Sequence, residues 1–457
     1  MVRLGQRSGL ALANWTEKWF PDALVFAFLG VVVTFVLGIC IGEKPAQLAI
    51  AGGKGFWSLV PFTMQMVMII IGGYVVATAP VINRLIEKLA SLPKTPKSAV
   101  AFIAFFSMMT SLLSWGFSLI FSALLVKAIA RRLKDLDYRA AGAAAYLGLG
   151  AIWALGLSSS AALMMATFES IPPKLFAISG LIPLVQTLFL WQNALMAVVL
   201  ILLSLGVAYF STPPSSEARN AEFYGVDLTE KPLHLSHSDR PREWLEYSPL
   251  LNLFMVALLG FYLIYEFKTS PKGALAALDL NTYNLISITL GLLLHWCPKN
   301  FGSAVLKAVP ACGGVLIQFP FYAVTFGMIM GTGITGYVAN LFVHISSPQT
   351  YPLLVALYST VIGIFIPSGG SKWVMEAPYV LEAAKLHHMH LGWVVQIYNA
   401  AEALLNLVNP FWMLPLLAIL KVKARDLVGY TFMQFIWHMP VVFFLCWMLS
   451  KTFHASP

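Results

Sequence analysis

Ala400-Ala401-Glu402-Ala403-Leu404-Leu405-Asn406-Leu407-Val408-Asn409-Pro410-Phe411 reads as an apolar helix that stops and starts again. Asn409 can cap a new helix whose first position is Pro410, which has no N–H to leave unsatisfied. The restart falls inside an apolar stretch running from 392 to 420. Upstream, Gly156-Leu157-Ser158-Ser159-Ser160-Ala161 offers a glycine break followed by a run of capping serines. Two half-helix N-termini result. Their unpaired N–H groups and positive dipole ends attract a carboxylate, and the freed carbonyls can hold a coupling cation. The plainer alternative is that Pro and Gly only kink packed membrane helices.

The solvent around these breaks follows from composition. Of 457 residues 59% are hydrophobic and 11% charged, against about 25% charged in soluble domains. Apolar runs at 23–41, 184–209 and 248–265 approach or reach the roughly 20 residues a helix needs to cross hydrocarbon. Read along the chain, full crossings are expected at 24–42, 60–82, 143–168, 184–210, 248–266, 280–296, 311–336, 392–420 and 430–450, about nine in all. The first apolar run lacks a small-residue cleavage motif, so it is expected to be a retained helix. The cysteines, Cys40, Cys297, Cys312 and Cys446, show no CxxC spacing, and neither a disulfide framework nor a zinc site is indicated.

Two further apolar segments, 99–132 and 352–386, are interrupted near the middle, one by Ser114-Trp115-Gly116 and the other by Pro367-Ser368-Gly369-Gly370. Each arm then has about 15 residues, short for a full span, so both read as re-entrant hairpins whose turns are buried in protein or line a wet cavity. A spacing of 253 residues pairs Gly38 with Gly291, Gln65 with Gln318, Gly116 with Gly369 and Gly156 with Asn409. The expected organisation is an N-terminal membrane repeat (1–210), a linker (211–247), an unpaired span with its loop (248–279) and a second repeat (280–457). An odd number of crossings between the repeat starts inverts the second copy.

The net charge of +9 is decided by where the 29 Lys and Arg lie. With the N-terminus inside, 21 fall in cytoplasmic segments and seven on the other face, leaving Lys372 inside a hairpin. The basic balance is then topological, and a nucleic-acid partner is not expected. The expected location is the bacterial inner membrane, multi-pass, with 211–247 cytoplasmic.

Small and hydroxylic residues crowd the hairpin turns: Thr110, Ser111, Ser114, Gly116 and Ser118 in the first, Ser368, Gly369, Gly370 and Ser371 in the second. Trp115 and Trp373 can wall a pocket for a short acyl chain, or belong to an interfacial aromatic belt. Intramembrane ionisable groups are functional candidates, here Lys372, Glu376 and Glu402. Glu402, in a span nearly free of other charge and close to the Asn409 break, is the expected coupling carboxylate, with Asn406 beside it. Lys372 can be compensated by Glu376 at i,i+4, by Glu402, or by the substrate carboxylate. The substrate is favoured, since Ser371 can cap the hairpin's second helix and aim its N-terminus and Lys372 at one anion. Gln65 and Gln318 are expected to bond across helices, and His387-His388-Met389-His390 to form a solvated interfacial loop. No catalytic, phosphate-loop or metal-ligand motif appears in a suitable context.

Phe62-Thr63-Met64-Gln65-Met66, Trp115-Gly116-Phe117, Gly314-Val315-Leu316-Ile317-Gln318-Phe319-Pro320-Phe321-Tyr322, Pro367-Ser368-Gly369-Gly370 and Asn409-Pro410-Phe411-Trp412 with Leu414-Pro415 together resemble the bacterial short-chain fatty acid transporters, within the larger ion-transporter superfamily. The resemblance spans nearly the whole chain. It implies uptake of acids such as acetoacetate or butyrate by an elevator in which hairpins and broken helices move against a fixed scaffold. The family pattern carries over to Ser368, Gly369 and Gly370, to Trp115 and Gly116, and to Asn409 and Pro410. Positions 372 and 376 depart from it, being charged here.

The resulting expectation is an all-α polytopic membrane protein of two inverted repeats that moves a small monocarboxylate by alternating access, coupled to H⁺ or Na⁺ and needing no other cofactor. Its substrate-site candidates are Trp115, Gly116, Ser158, Ser159, Ser160, Ser368, Gly369, Gly370, Ser371, Lys372, Asn409 and Pro410, and its coupling-ion candidates are Glu402 and Asn406. The lipid bilayer is its surroundings, and a homodimer is compatible with the sequence. The rivals are an anion channel, which needs a continuous pore, and an intramembrane enzyme, for which no nucleophile and base stand at recognisable spacing.

Overall fold

The computed structural model describes residues 23–228, 241–270, 277–365 and 369–453. Among them the chain is helical, without strands. The first run of helices is α1 (Ala23–Cys40), α2 (Pro45–Gly55), α3 (Val60–Ala77) and α4 (Pro80–Leu89), then a hairpin of α5 (Pro96–Leu113) and α6 (Trp115–Arg132). A broken helix follows, α7 (Tyr138–Leu147) and α8 (Ser160–Ala166), then α9 (Pro173–Ser179) and α10 (Trp191–Ser211). After α11 (Pro241–Tyr247) and α12 (Pro249–Thr269) the order recurs. It runs through α13 (Leu280–His295), α14 (Pro298–Ala308), α15 (Gly313–Gly331) and α16 (Ile334–Ile345) to a second helix pair, α17 (Tyr351–Phe365) and α18 (Gly369–Leu386). A second broken helix, α19 (Leu391–Asn406) and α20 (Leu414–Leu420), leads to α21 (Ala424–Ser450). Pro45 and Pro298, Val60 and Gly313, and Tyr138 and Leu391 open corresponding helices, each pair standing 253 residues apart (298 against 45, for example).

Packing sorts these helices into two bundles. One holds α1–α3 with α13–α15, and α12 lies along α13; α4 and α16 bridge the two, packing mainly on α6 and α18. The other holds both helix pairs, both broken helices, α10 and α21. In lipid, where apolar burial drives little, helices associate by close packing and interhelical hydrogen bonds, and both are present. A Cβ on Gly327 would stand 2.5 Å from the Ala51 carbonyl and one on Gly55 2.4 Å from that of Ala323, so α2 and α15 cross backbone to backbone. Gln65 donates to Asn281 Oδ1 at 2.7 Å and accepts from the Ser170 hydroxyl at 2.6 Å, bonding across helices as expected.

Seven helical stretches among the described residues are long and apolar enough to cross a membrane: 60–77, 96–113, 138–166, 191–211, 249–269, 298–331 and 424–450. This is a multi-pass membrane protein. Expected crossings at 24–42, 280–296 and 392–420 are represented by shorter helices, the last because its α-helix stops at Asn406.

Several boundaries differ from expectation for identifiable reasons. The arms of the first hairpin have 18 residues each rather than about 15, because Thr95 and Ser98 form a capping box with Pro96 at the first turn and only Ser114 interrupts the helix. The 60–82 span ends at Ala77, where Pro80 opens the short amphipathic α4. Likewise 311–336 is divided at Thr332-Gly333, and 184–210 starts as α-helix only at Trp191 after a 3₁₀ turn. Residues 212–228 of the linker pack on the α6–α7 turn. There the buried Asp137 accepts from the backbone of Arg139, Ala140 and Arg219 and pairs with the Arg139 guanidinium at 2.6 Å.

Candidate functional site

The first broken helix is held open by specific contacts. After Leu147 the turns widen to a π-helix over Gly148–Ile152, tighten to 3₁₀ over Trp153–Leu155, and give way to extended backbone at Gly156. Leu157 N–H donates to the Leu112 carbonyl at 2.7 Å, and Trp115 N–H donates to Ser158 Oγ at 2.9 Å. The break is thereby tied to the hairpin turn. Gly156 must be glycine, since a Cβ there would lie 2.4 Å from the Leu112 backbone. Ser159 caps α8 by accepting from Ala162 N–H, and Ser114 caps α6 by accepting from Phe117 N–H. The capping serines expected from sequence thus include Ser159, while Ser158 serves as the tether. Gly116 approaches α3 at Gly73, where a Cβ would meet the backbone of 116–117 at under 3 Å.

The second broken helix ends at Asn406. Asn409 N–H donates to the Leu405 carbonyl at 2.8 Å, a 3₁₀ turn runs from Pro410 to Met413, and the α-helix resumes at Leu414. The expected restart at Pro410 is therefore 3₁₀, with α geometry beginning four residues later. Opposite this break lies the start of α18. Ser368 is outside the described residues; Gly369 is the first helical residue, and Ser371 is the third rather than the cap, its hydroxyl buried without a hydrogen-bond partner. Gly369 and Gly370 pack so closely that Cβ atoms would meet Trp153 at 2.5 Å and Phe62 at 2.9 Å.

Between these ends is a cavity of about 20 Å³, room for one water-sized group. Trp115, Leu149, Trp153 and Trp412 line it from the hairpin bundle together with Ser160, Gly369, Gly370 and Asn406. Met66, Val315 and Phe319 line it from the other bundle. The polar lining all comes from one side and the opposing wall is apolar. Two buried donors of lining residues, Trp153 Nε1–H and Asn406 Nδ2–H, have no acceptor among the described residues, an arrangement costly unless something accepts from them. Trp373, paired with Trp115 in the sequence reading, instead packs on Tyr398 with ring centroids 4.6 Å apart and does not line the cavity. Sequence reasoning missed Trp153, Phe319 and Met66 as lining residues. The only signal for Trp153 was its place three residues before Gly156.

One turn behind the cavity lies a charged cluster. Lys372 is wholly buried; its ammonium contacts the Glu402 carboxylate, donates to the Ser359 carbonyl at 2.6 Å, stands 4.0 Å from Glu376 Oε1 and lies 4.8 Å from the centre of the Tyr398 ring. Gly363 makes room for it, since a Cβ there would approach the ammonium at 3.2 Å. Of the partners considered for Lys372, the protein itself supplies Glu402. Glu402, on the neighbouring α19, reaches the ammonium directly, whereas the i,i+4 partner on its own helix stays at the rim.

Elsewhere, His390 caps α19 by accepting from Trp393 N–H at 3.0 Å, and His387 is buried against the Ser346 hydroxyl. That loop is more packed than the solvated one expected. A wider recess of about 630 Å³ lies between Arg131, Lys134 and residues 220–228. It is at the far end of α6 from Trp115, roughly 24 Å away along the helix, and so is separate from the converging breaks.

Comparison with known proteins identifies the family and the fold. The family described as Short chain fatty acid transporter matches residues 4–449. A protein of Escherichia coli K12 named for short-chain fatty acid transport is 32% identical over 421 residues, covering 92% of this chain and 94% of its own. One from Haemophilus influenzae with the same name is 30% identical over 444 residues, covering 94% and 96%. Among solved structures, the YdaH transporter of Alcanivorax borkumensis superposes with a TM-score of 0.57 at 12% identity, over 96% of this chain and 100% of that one. MtrF of Neisseria gonorrhoeae, described as one of a class of antimetabolite efflux pumps, gives 0.55 at 13%, over 95% and 97%; both likenesses speak to the fold. On the full-length family match and the two relatives, this chain belongs to the short-chain fatty acid transporter family.

Proposed function

We propose that the protein is a secondary active transporter of short-chain monocarboxylates such as acetoacetate or butyrate, working by alternating access in a bacterial inner membrane with its N-terminus in the cytoplasm. The observation that carries this reading is the pairing, in one cavity, of apolar walls with buried donors that have no acceptor among the described residues, Trp153 Nε1–H and Asn406 Nδ2–H. A small acid with a short alkyl tail has both halves of the complementary chemistry. The cavity's polar residues ride on the hairpin bundle while Met66, Val315 and Phe319 belong to the other. Movement of one bundle past the other therefore carries the polar contacts along and exchanges only the apolar wall. This supports an elevator-like cycle and disfavours a channel, which needs a continuous pore. The buried cluster of Lys372, Glu376 and Glu402, with Glu402 one turn behind Asn406, is where coupling to H⁺ or Na⁺ is assigned.

Counterflow of labelled acetoacetate in proteoliposomes tests the reading, with protein-free vesicles as control. Transient accumulation against preloaded unlabelled acid is the expected result, and equilibration without overshoot would indicate a channel. Trp153→Phe removes the N–H together with part of the ring that packs on Gly369, and is expected to raise KM while the protein still folds, as gel filtration checks. An unchanged KM would remove Trp153 from the site.

A further inference from the structure

Three ionisable side chains are packed together in the hairpin bundle: Lys372, Glu376 and Glu402, each no more than 2% exposed. Fully ionised they sum to one negative charge, which an apolar interior tolerates poorly. The two carboxylates are not equivalent. Glu402 touches the Lys372 ammonium. Glu376 is held off at 4.0 Å, receives a hydrogen bond from the Ser359 hydroxyl to Oε2 at 2.7 Å, and its Oε1 has no hydrogen-bond partner among the described residues. The remaining groups around it are Tyr358 and Tyr379, whose hydroxyls bond to each other at 2.8 Å, and Tyr398 across the ammonium. Packed against α18, helices α8 and α15 contain no charged residue; the charged or titratable His344 on α16 and Lys174 on α9 are exposed and bonded to the Asn340 and Met330 carbonyls.

Resting on the transport reading, we propose that this cluster is the coupling site, that the coupling ion is H⁺ and not Na⁺, and that the exchangeable proton resides on Glu376 Oε1 while Glu402 stays ionised against Lys372. The step is a proton transfer only: water on one side of the membrane gives a proton to the Glu376 carboxylate, making a neutral carboxylic acid, and the same proton leaves to the other side when the cycle reverses. A sodium ion would have to compete with the ammonium, which already occupies Glu402 Oε2 and the Ser359 carbonyl. The cluster reaches the cavity through shared helices: Glu402 is one turn from Asn406 on α19, and Lys372 is one turn from Gly369 on α18. Placing a substrate carboxylate beside a cluster that carries a net negative charge is repulsive, and neutralising Glu376 removes the repulsion. Proton and acid therefore bind with positive coupling, one for one, and the loaded and empty carriers bear the same single negative charge, so a full cycle moves no net charge.

The test uses labelled acetoacetate in proteoliposomes, with protein-free vesicles subtracted. In sodium-free buffer with the membrane potential clamped at zero, an inside-alkaline step of one pH unit is expected to drive accumulation of about tenfold in the wild type. Glu376→Gln mimics the protonated carboxyl, so it is expected to retain counterflow and lose the pH-driven accumulation. The proposal is overturned if wild-type accumulation requires a sodium gradient, or if Glu376→Gln accumulates acid as the wild type does. Absence of counterflow in the wild type is a different result and sinks the transport reading itself. Should Glu376→Gln lose counterflow too, the sodium-free wild-type measurement decides, since it involves no variant.

Discussion

Replacing Lys372 by Met removes the ammonium that neutralises Glu402 and leaves the carboxylate buried with nothing in its place. Breaking a buried ion pair from one side costs about 3–5 kcal/mol, and the Lys372–Glu402 contact is inaccessible from both partners, at 0% and 2% side-chain exposure. An upper limit comes from the alternative of taking up a proton. Neutralising an ordinary glutamate costs about 3.7 kcal/mol at pH 7 and about 1.6 kcal/mol at pH 5.5. Lys372→Met is therefore expected to lose roughly 3–4 kcal/mol at pH 7 and to recover about 2 kcal/mol of that at pH 5.5. The direction follows from linkage, since the folded variant binds a proton that the unfolded chain at that pH does not. Adding Glu402→Gln should restore most of the stability. Adding Glu376→Gln should restore less, because the stranded carboxylate remains. Thermal unfolding in detergent at both pH values, with the two double variants in parallel, measures all four quantities. If Lys372→Met melts like the wild type, or if Glu402→Gln fails to rescue it, the pairing is wrong.

Other outcomes follow from the same structure. Gly156→Ala drives a Cβ to 2.4 Å from the Leu112 backbone, whereas Gly206→Ala in α10 meets nothing within 4 Å; the first should abolish the folded protein in gel filtration, and the second should be neutral or stabilise by about 0.5–1 kcal/mol. Burial pushes the His390 imidazole below its ordinary value of 6.5 while its Nδ1 caps α19. Since the unfolded chain takes the proton first, its contribution is complete above pH 6.5 and lost as pH falls through the folded value. His390→Asn keeps a capping acceptor and should flatten the melting profile between pH 7 and 5 relative to wild type; an identical slope in the two proteins would count against the cap. Ser216 is exposed in the linker, so Ser216→Cys, with Cys40, Cys297, Cys312 and Cys446 replaced, should react with an impermeant maleimide only after cells are opened. Labelling from outside intact cells would reverse the assigned orientation.

The sequence by itself determined the class of fold and the places where helices break. Hydropathy gives spans because an unpaired backbone in hydrocarbon is so costly that apolar runs have little choice but helix. Gly156, Ser159 and Asn409-Pro410 marked breaks because capping and the missing proline N–H act over a few residues, within reach of local reading. Ser114 was equally legible, but not the full length of the hairpin arms, since the Thr95 capping box starts the helix in a stretch whose hydropathy is unremarkable. What faces what depended on tertiary structure. Trp153, Trp412 and Phe319 come together only because two breaks and α15 converge, and nothing in the spacing of residues 153, 319 and 412 signals it. The same holds for Lys372, which sequence could pair with Glu376 at i,i+4, with Glu402 or with substrate. On α18 the Glu376 oxygen stays 4.0 Å from the ammonium, while α19 brings Glu402 into contact. Local periodicity fixes neighbours on one helix, but the choice among charged partners is made by the packing of separate helices.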